Sequence, residues 1–336
     1  MEGKFNMEKL KVVIMGLGPL GVKTARFASN RNVDIVGAVD IDPSITGKNL
    51  GEHCGIGGLN IPISPTIKDA VLNKKADVVI LTTVSGLKNI VPQIKDIAKY
   101  HMHIVSTCEE LSFPWDTDSK TAGIIDGIAK KYGIAVIGTG VNPGFLMDFL
   151  PVSLTAVCQD VKKIKVSRIQ NAQFRRVPFQ KKIGAGLTLE EFNFRKENGF
   201  IRHVGLTESM HMIASRMGWK PDRIEDILEP VIAQKDILTD SINIKAGNST
   251  GVLQTGRAWK NGIELITLIF KASVGEPESY DAVKIIGEPD INMKIEGGVN
   301  GDIATCAIVI NATKQIINAT PGLKTMVDIP AVSFFN

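Results

Sequence analysis

The chain is poor in the residues that build metal centres, disulfide frameworks and membrane spans. Its 336 residues include four cysteines, Cys54, Cys108, Cys158 and Cys306, far apart and without a C-x-x-C pair, and five histidines with no His-His pair. That spacing argues against a zinc cluster or a disulfide scaffold and sets free thiols in a reducing compartment as the expectation. No apolar run reaches the length of a membrane span. The opening MEGKFNMEKL lacks the apolar core of a secretory signal, so a cytoplasmic location is expected, with Met7 as an alternative start. Charge of one sign is also scarce. The net charge is +4 from 39 basic and 35 acidic residues, too small and dispersed to point to nucleic acid or a membrane surface. No DNA-reading module, internal repeat or low-complexity tract is present.

What is present is ordinary globular composition, 44% hydrophobic and 22% charged, in a length that suits two domains with real cores. The first half alternates apolar strand-like runs with helical spacing. KLKVVIMG, VDIVGAVD, ADVVILTTV, HIVST and IAVIGTG read as buried strands. GVKTARFASNR, SPTIKDAVLNKK, GLKNIVPQIKDIAKYHM and DSKTAGIIDGIAKKYG read as the helices between them. This predicts an α/β fold, a doubly wound parallel sheet covered on both faces. After about Gly144 the period changes to two. VKKIKVSRIQN, the hairpin TGRAWKNGIELITLIFKASVG with Asn261-Gly262 at its turn, and AVKIIGEPDINMKIEGG predict an open, largely antiparallel sheet able to pair two subunits. Thr188 is a candidate N-cap for TLEEFNFRKENG, and Gly218 closes the helix LTESMHMIASRMG. The last helix, GDIATCAIVINATKQIINATPGL, is too apolar to stand alone and is expected to pack on the first domain.

Gly16, Gly18 and Gly21 in VVIMGLGPLG stand in G-x-G-x-x-G spacing, after a strand and opening a helix. Gly16 permits the tight turn, Gly18 lets the backbone approach a pyrophosphate, and Gly21 permits close helix–strand packing. Pro19 and Leu20 begin the helix whose N-terminus offers free N–H groups and a positive dipole. Asp40, 19 residues beyond Gly21 at the end of the second strand, is placed to accept hydrogen bonds from ribose hydroxyls, with Asp42 as the alternative contact. A carboxylate there repels a 2′-phosphate, so the cofactor is expected to be NAD or NADP with NAD favoured. Thr82, Thr83 and Val84 end a strand where a ligand crevice lies, or cap the next segment.

The acids of STCEELSFPW, Glu109 and Glu110, follow the strand HIVST at the same end of the sheet. Two readings stand. Either the pair is solvated and caps a helix, or one carboxylate deprotonates an ammonium group beside the cofactor, promotes hydride loss, and then activates water. Taken together, GLGPLG, STCEELSFPW, GTGVNPGF, KKIGAGLTLEEF and HVGLTESMHMIA resemble the 2,4-diaminopentanoate dehydrogenases and the related native amine dehydrogenases, over essentially the whole chain. The resemblance implies a Rossmann domain (1–143 and 300–336) joined to an α+β substrate and dimerisation domain with an open mixed sheet (144–299), of the dihydrodipicolinate reductase type. It implies NAD(P)-dependent oxidative deamination of 2,4-diaminopentanoate to 2-amino-4-oxopentanoate in ornithine breakdown, by a homodimer. It also implies a catalytic glutamate in the C-E-E segment, carried here to Glu109 with Glu110 second.

Asn142 and Pro143 in VNPGF are candidates for the nicotinamide-side loop, or form a plain hinge. For a substrate carboxylate the dense basic stretch QFRRVPFQKK offers Arg175, Arg176, Lys181 and Lys182. His203 is a candidate to orient substrate or relay a proton, and Glu208 to contact the α-ammonium. Trp115, Phe145 and Phe174 are candidate pocket walls or core. Among alternatives, a dihydrodipicolinate reductase would carry the missing His-His pair. A homoserine dehydrogenase would place a lysine where Glu109 and Glu110 stand. A broad-specificity amine dehydrogenase differs only in pocket detail, and a non-catalytic NAD(H) sensor leaves the two acids without a task.

Overall fold

A computed structural model of the chain describes residues 9–72, 74–175, 177–201 and 203–336. The candidate Arg176 and the alternative start Met7 lie outside the described residues. The chain divides into two compact units, Met1–Phe145 with Gly301–Asn336, and Leu146–Asn300.

The first unit is built on strands β1 (Leu10–Met15), β2 (Val33–Val39), β3 (Ile63–Ser64), β4 (Val78–Leu81), β5 (His103–Ser106) and β6 (Ala135–Gly138), with Gly322–Lys324 at one edge. Their order is Gly322–Lys324, β6, β5, β4, β1, β2, β3, and every pairing is parallel. Val12, Val13 and Ile14 of β1 and all four residues of β4 are fully buried, as a sheet covered on both faces requires. The helix Pro19–Ser29 starts with proline in its first turn and buries Gly21, Thr24, Ala25 and Ala28, one stripe at helical spacing. Helix Leu87–Ala98 holds Pro92 inside it and buries Leu87, Ile90, Ile94 and Ile97. Helix Ser119–Tyr132 is capped by Asp118, which accepts from the Thr121 N–H, and ends at Gly133 with φ 68°. Among its described residues SPTIKDAVLNKK yields a one-turn helix, Ile67–Ala70, behind the N-cap Thr66. The apolar helix Gly301–Ile316 packs against Pro19–Ser29, with the Cys306 thiol facing the Leu20 carbonyl at 3.7 Å. Among the described residues no helix is long and apolar enough to cross a membrane.

The second unit carries β7 (Asp160–Asn171), β8 (Arg223–Ile232), the short pair β9 (Ile237–Leu238) and β10 (Asn243–Ile244), β11 (Ser249–Lys260), β12 (Ile263–Ser273), β13 (Tyr280–Glu288) and β14 (Ile291–Glu296). Six of them form a mixed sheet in the order β14, β13, β7, β12, β11, β8, in which only β7 and β12 run parallel. Asn261 and Gly262 turn the β11–β12 hairpin with φ of 51° and 78°, the left-handed pair that an Asn-Gly turn supplies without strain. Thr188 opens the helix Leu189–Glu197 with a full capping box to Glu191. Phe192 on that helix is completely buried in a cluster with Ile183, Ile201 and Phe270, worth about 1.5–3 kcal/mol of burial. The helix Leu206–Arg216 lies close on β11. A Cβ at Gly256 would come within 3.0 Å of Leu206 and Met210.

Candidate active site

In the first unit the glycine turn is defined by what its backbone excludes. Gly16 has φ +94°, and a Cβ there would lie 2.7 Å from the Thr82 carbonyl oxygen. A Cβ on Gly21 would sit 1.8 Å from the Gly16 carbonyl oxygen, whereas at Gly18 it would meet nothing within 4 Å. Two glycines are therefore demanded by the protein itself, and the third faces open space, as a close-approaching ligand requires. The Thr82 hydroxyl donates to the Gly16 carbonyl at 2.7 Å and holds the turn against β4. Helix Pro19–Ser29 has no acid in its first turn and no side chain capping it, so its leading N–H groups suit a phosphate.

Asp40 is committed on both oxygens. One accepts the Leu17 N–H at 2.6 Å and the other the Asp42 N–H at 2.9 Å. Each oxygen keeps a second lone pair for a ribose hydroxyl. Asp42 turns to its own loop, where hydrogen bonds from Ser44 hold its carboxyl below the usual range. A cleft of about 770 Å³ runs along this edge, lined among others by Gly16, Gly18, Asp40, Thr82, Thr83 and Val84. Its walls and the open space at Gly18 fit the adenosine and pyrophosphate parts of a dinucleotide. Pro19 and Leu20 are outside the lining of this cleft and start the helix. In the Val141–Phe145 loop, Pro143 is buried, Asn142 and Phe145 are half-buried, and the Asn142–Pro143 peptide is cis. The Val141 N–H donates to the Thr305 hydroxyl at 3.2 Å, anchoring this loop to the last helix.

Glu109 and Glu110 begin a 3-10 turn directly after β5, and both are half-buried. They have different partners. Glu110 accepts the Leu87 N–H at 2.7 Å. It thereby caps helix Leu87–Ala98, whose N-cap, Gly86, has no side chain to offer. The capping reading thus holds for Glu110, but on a different helix from Ser119–Tyr132, which has its own Asp118. The Glu109 carboxylate has no hydrogen bond or ion pair to any described residue, while its carbonyl accepts from Ser112. Between the strand and the acids, burial pushes the Cys108 thiol up to about 12, and both glutamates add to the shift. That thiol donates to the Ser85 carbonyl and is no nucleophile at neutral pH. Trp115 packs on the core of this unit.

In the second unit the central feature is a row that sequence reading passed over. Ile164, Val166, Arg168 and Gln170 share the buried parity of β7, so an arginine stands where period two demands an inward residue. Across the sheet Phe270 of β12, Arg168 of β7 and Asp281 of β13 are register neighbours. Arg168 is 2% exposed and Asp281 3%, and their side chains meet at 2.9 Å. Burial draws the Arg168 guanidinium down and pushes the Asp281 carboxyl up, and each opposes the other's shift.

His203 stacks on Phe270 with ring centroids 4.3 Å apart. Its Nδ1 is shut off from solvent. Burial, with Lys182 and Arg168 nearby, lowers its pKa to about 3. The ring is therefore neutral at pH 7. Arg175 is half-buried, stacks on Phe179 at 4.4 Å, and donates to the Gln170 side-chain oxygen at 3.4 Å. Lys181 and Lys182 are exposed at the end of helix Val177–Lys182. Glu208 is buried in the first turn of helix Leu206–Arg216. Phe174 is 85% exposed and lines no core. Among the described residues no group of His, Cys, Asp and Glu is placed to hold a metal ion.

Residues 145–335 match the family model of the 2,4-diaminopentanoate dehydrogenase C-terminal domain, and residues 10–108 that of the dihydrodipicolinate reductase N-terminus. A 2,4-diaminopentanoate dehydrogenase from Acetoanaerobium sticklandii is 35% identical over 334 residues, covering 96% of this chain and 94% of the relative. An amine dehydrogenase from Mycobacterium smegmatis shares the fold at TM-score 0.84 and 20% identity, over 98% of both chains. A UDP-N-acetylglucosamine 3-dehydrogenase from Acidithiobacillus ferrooxidans shares it more loosely, at TM-score 0.53 and 13% identity over 95% and 92%. A glycine cradle shaped for a dinucleotide, a mixed second sheet and these likenesses lead to one conclusion: the chain is an NAD(P)-dependent dehydrogenase and belongs to the 2,4-diaminopentanoate dehydrogenase family.

Proposed function

We propose that the chain oxidatively deaminates 2,4-diaminopentanoate to 2-amino-4-oxopentanoate and ammonia, as a step of ornithine breakdown, with Glu109 as the base. The observation that carries the assignment of the base is the contrast between neighbours. Glu110 is spent on the Leu87 N–H, while the Glu109 carboxylate is bonded to no described residue. The 35% identity to a relative of that name supports the substrate.

A carboxylate takes a proton from the substrate ammonium, which frees the nitrogen lone pair. A nicotinamide cofactor held at the glycine turn and Asp40 would supply the acceptor for the hydride that leaves the neighbouring carbon. The substrate is left as an iminium ion. Once Glu109 has passed its first proton to solvent, it takes another from water as that water adds to the iminium carbon. Ammonia then departs and the ketone remains. General-base help of this kind is worth roughly two to four orders of magnitude in rate.

In the first unit, which we read as the nucleotide-binding one, Asp40 favours NAD because a 2′-phosphate would face its carboxylate, and Asn142 serves the nicotinamide carboxamide. In the second, the substrate and dimerisation unit, Arg175 with Lys182 recognises the substrate carboxylate, Glu208 the α-ammonium, and neutral His203 orients the substrate. Exposed Ile227 and Ile286, which the strand register sets on one face of its open sheet, support a homodimer through that face. Steady NADH formation by the purified chain with 2,4-diaminopentanoate tests this reading, run beside simple amines and with both cofactors. Turnover of simple amines alone would replace the diamino acid with a broader amine substrate.

A further inference from the structure

A charged pair buried in a sheet is rarely the most stable filling for that space. Apolar residues of similar size usually do as well or better, because both ions lose their hydration. Arg168 and Asp281 therefore call for a role besides stability. Their hydrogen bonds lead outward in one continuous line. Asp281 accepts the Val299 N–H at 2.7 Å with its second oxygen. Arg168 donates to the Val299 carbonyl at 2.9 Å. The same carbonyl accepts from the Gln170 amide nitrogen at 3.4 Å. The Gln170 amide oxygen in turn accepts from Arg175 at 3.4 Å. Gln170 is 8% exposed, so its amide cannot turn over without leaving polar atoms unpaired in the interior. That fixes which end of the amide faces Arg175. The same guanidinium lies over the Phe179 ring, 4.4 Å from its centroid.

We infer that Gln170 is a positioning residue for substrate carboxylate recognition, relaying the fixed geometry of the Arg168–Asp281–Val299 clamp to the Arg175 guanidinium. The inference rests on the reading of Arg175 as the carboxylate ligand. An arginine already oriented loses less rotational freedom when it takes a carboxylate on two N–H groups. The relay therefore acts on binding of a substrate that carries a carboxylate and leaves the chemical step alone.

The test is a double-mutant cycle on the full-length enzyme with 2,4-diaminopentanoate and NAD, reading KM and kcat separately and melting temperature alongside. Arg175→Ala should raise KM about tenfold or more, and Gln170→Leu about three- to tenfold with kcat within about twofold. The double variant should be no worse than Arg175→Ala alone, because Gln170 acts only through Arg175. Gln170→Met provides a second apolar replacement if Gln170→Leu melts early. Unchanged KM in Gln170→Leu beside a raised KM in Arg175→Ala would refute the relay and keep the carboxylate site. Multiplying effects in the double variant would also refute it, since Gln170 would then act independently. Unchanged KM in Arg175→Ala would remove the carboxylate site and the relay with it.

Discussion

The glycine turn of the first unit and the polar row of the second meet opposite demands. At the turn the requirement is emptiness: Gly21 has no room for one more carbon, and Gly18 keeps clear the space a ligand needs. In the row the requirement is occupancy. Arg168, Asp281 and Gln170 are buried and hydrogen-bonded to one another's partners, so deleting any of them strands a polar group. The turn should fail when atoms are added, and the row when they are removed.

The largest expected effect lies in the row. Asp281→Ala leaves the Arg168 charge uncompensated and the Val299 N–H unbonded, which should cost about 3–5 kcal/mol in chemical denaturation. A loss below about 1 kcal/mol would mean the pair is wetter than its burial indicates. Next comes the turn. Gly21→Ala forces the Gly16 carbonyl aside and should lower stability by about 1–3 kcal/mol. Gly18→Ala should leave the melting temperature unchanged and weaken NAD(P) binding alone; equal melting losses in both variants would erase the distinction between them. Asp40→Ala should shift the ratio of kcat/KM values toward NADP by about tenfold, the scale of a charge-assisted hydrogen bond. An unchanged ratio would remove Asp40 from the ribose site.

The smallest effect is a pH dependence. The pKa of His203 is depressed to about 3 in the fold against about 6.5 when unfolded. Its contribution to stability is therefore complete above pH 6.5 and declines as the pH falls toward 3, because the unfolded chain binds the proton first. His203→Asn should flatten the stability profile between pH 6.5 and 5, above the range where most carboxylates titrate. An unchanged slope would place the ring in a wetter setting.

The turn was legible in the chain because its signals are local: three glycines in register between a strand and a helix. The same holds for Thr188 as a cap and for Asn261-Gly262 as a turn, each decided by neighbours within a few residues. The row was not legible. Arg168 and Asp281 are 113 positions apart, and nothing local says which acid on another strand will face an inward arginine. Only parity carried a hint, since Arg168 falls in step with Ile164 and Val166. The partner of Glu110 was hidden in the same way: Leu87 is 23 residues earlier and offers a backbone N–H, which no side-chain pattern reveals. The edge strand Gly322–Lys324 is too short for period two to register.

On the proposed reading two adjacent carboxylates divide the work, Glu110 holding a helix and Glu109 taking protons. Initial rates of NADH formation by Glu109→Gln and Glu110→Gln at saturating NAD and diamino acid test it directly. Glu109→Gln should lose about two to four orders of magnitude in kcat with NAD binding intact. Glu110→Gln should keep its kcat within about tenfold and lose about 0.5–2 kcal/mol of stability with its cap. Near-normal turnover in Glu109→Gln beside an inactive, fully folded Glu110→Gln would contradict it.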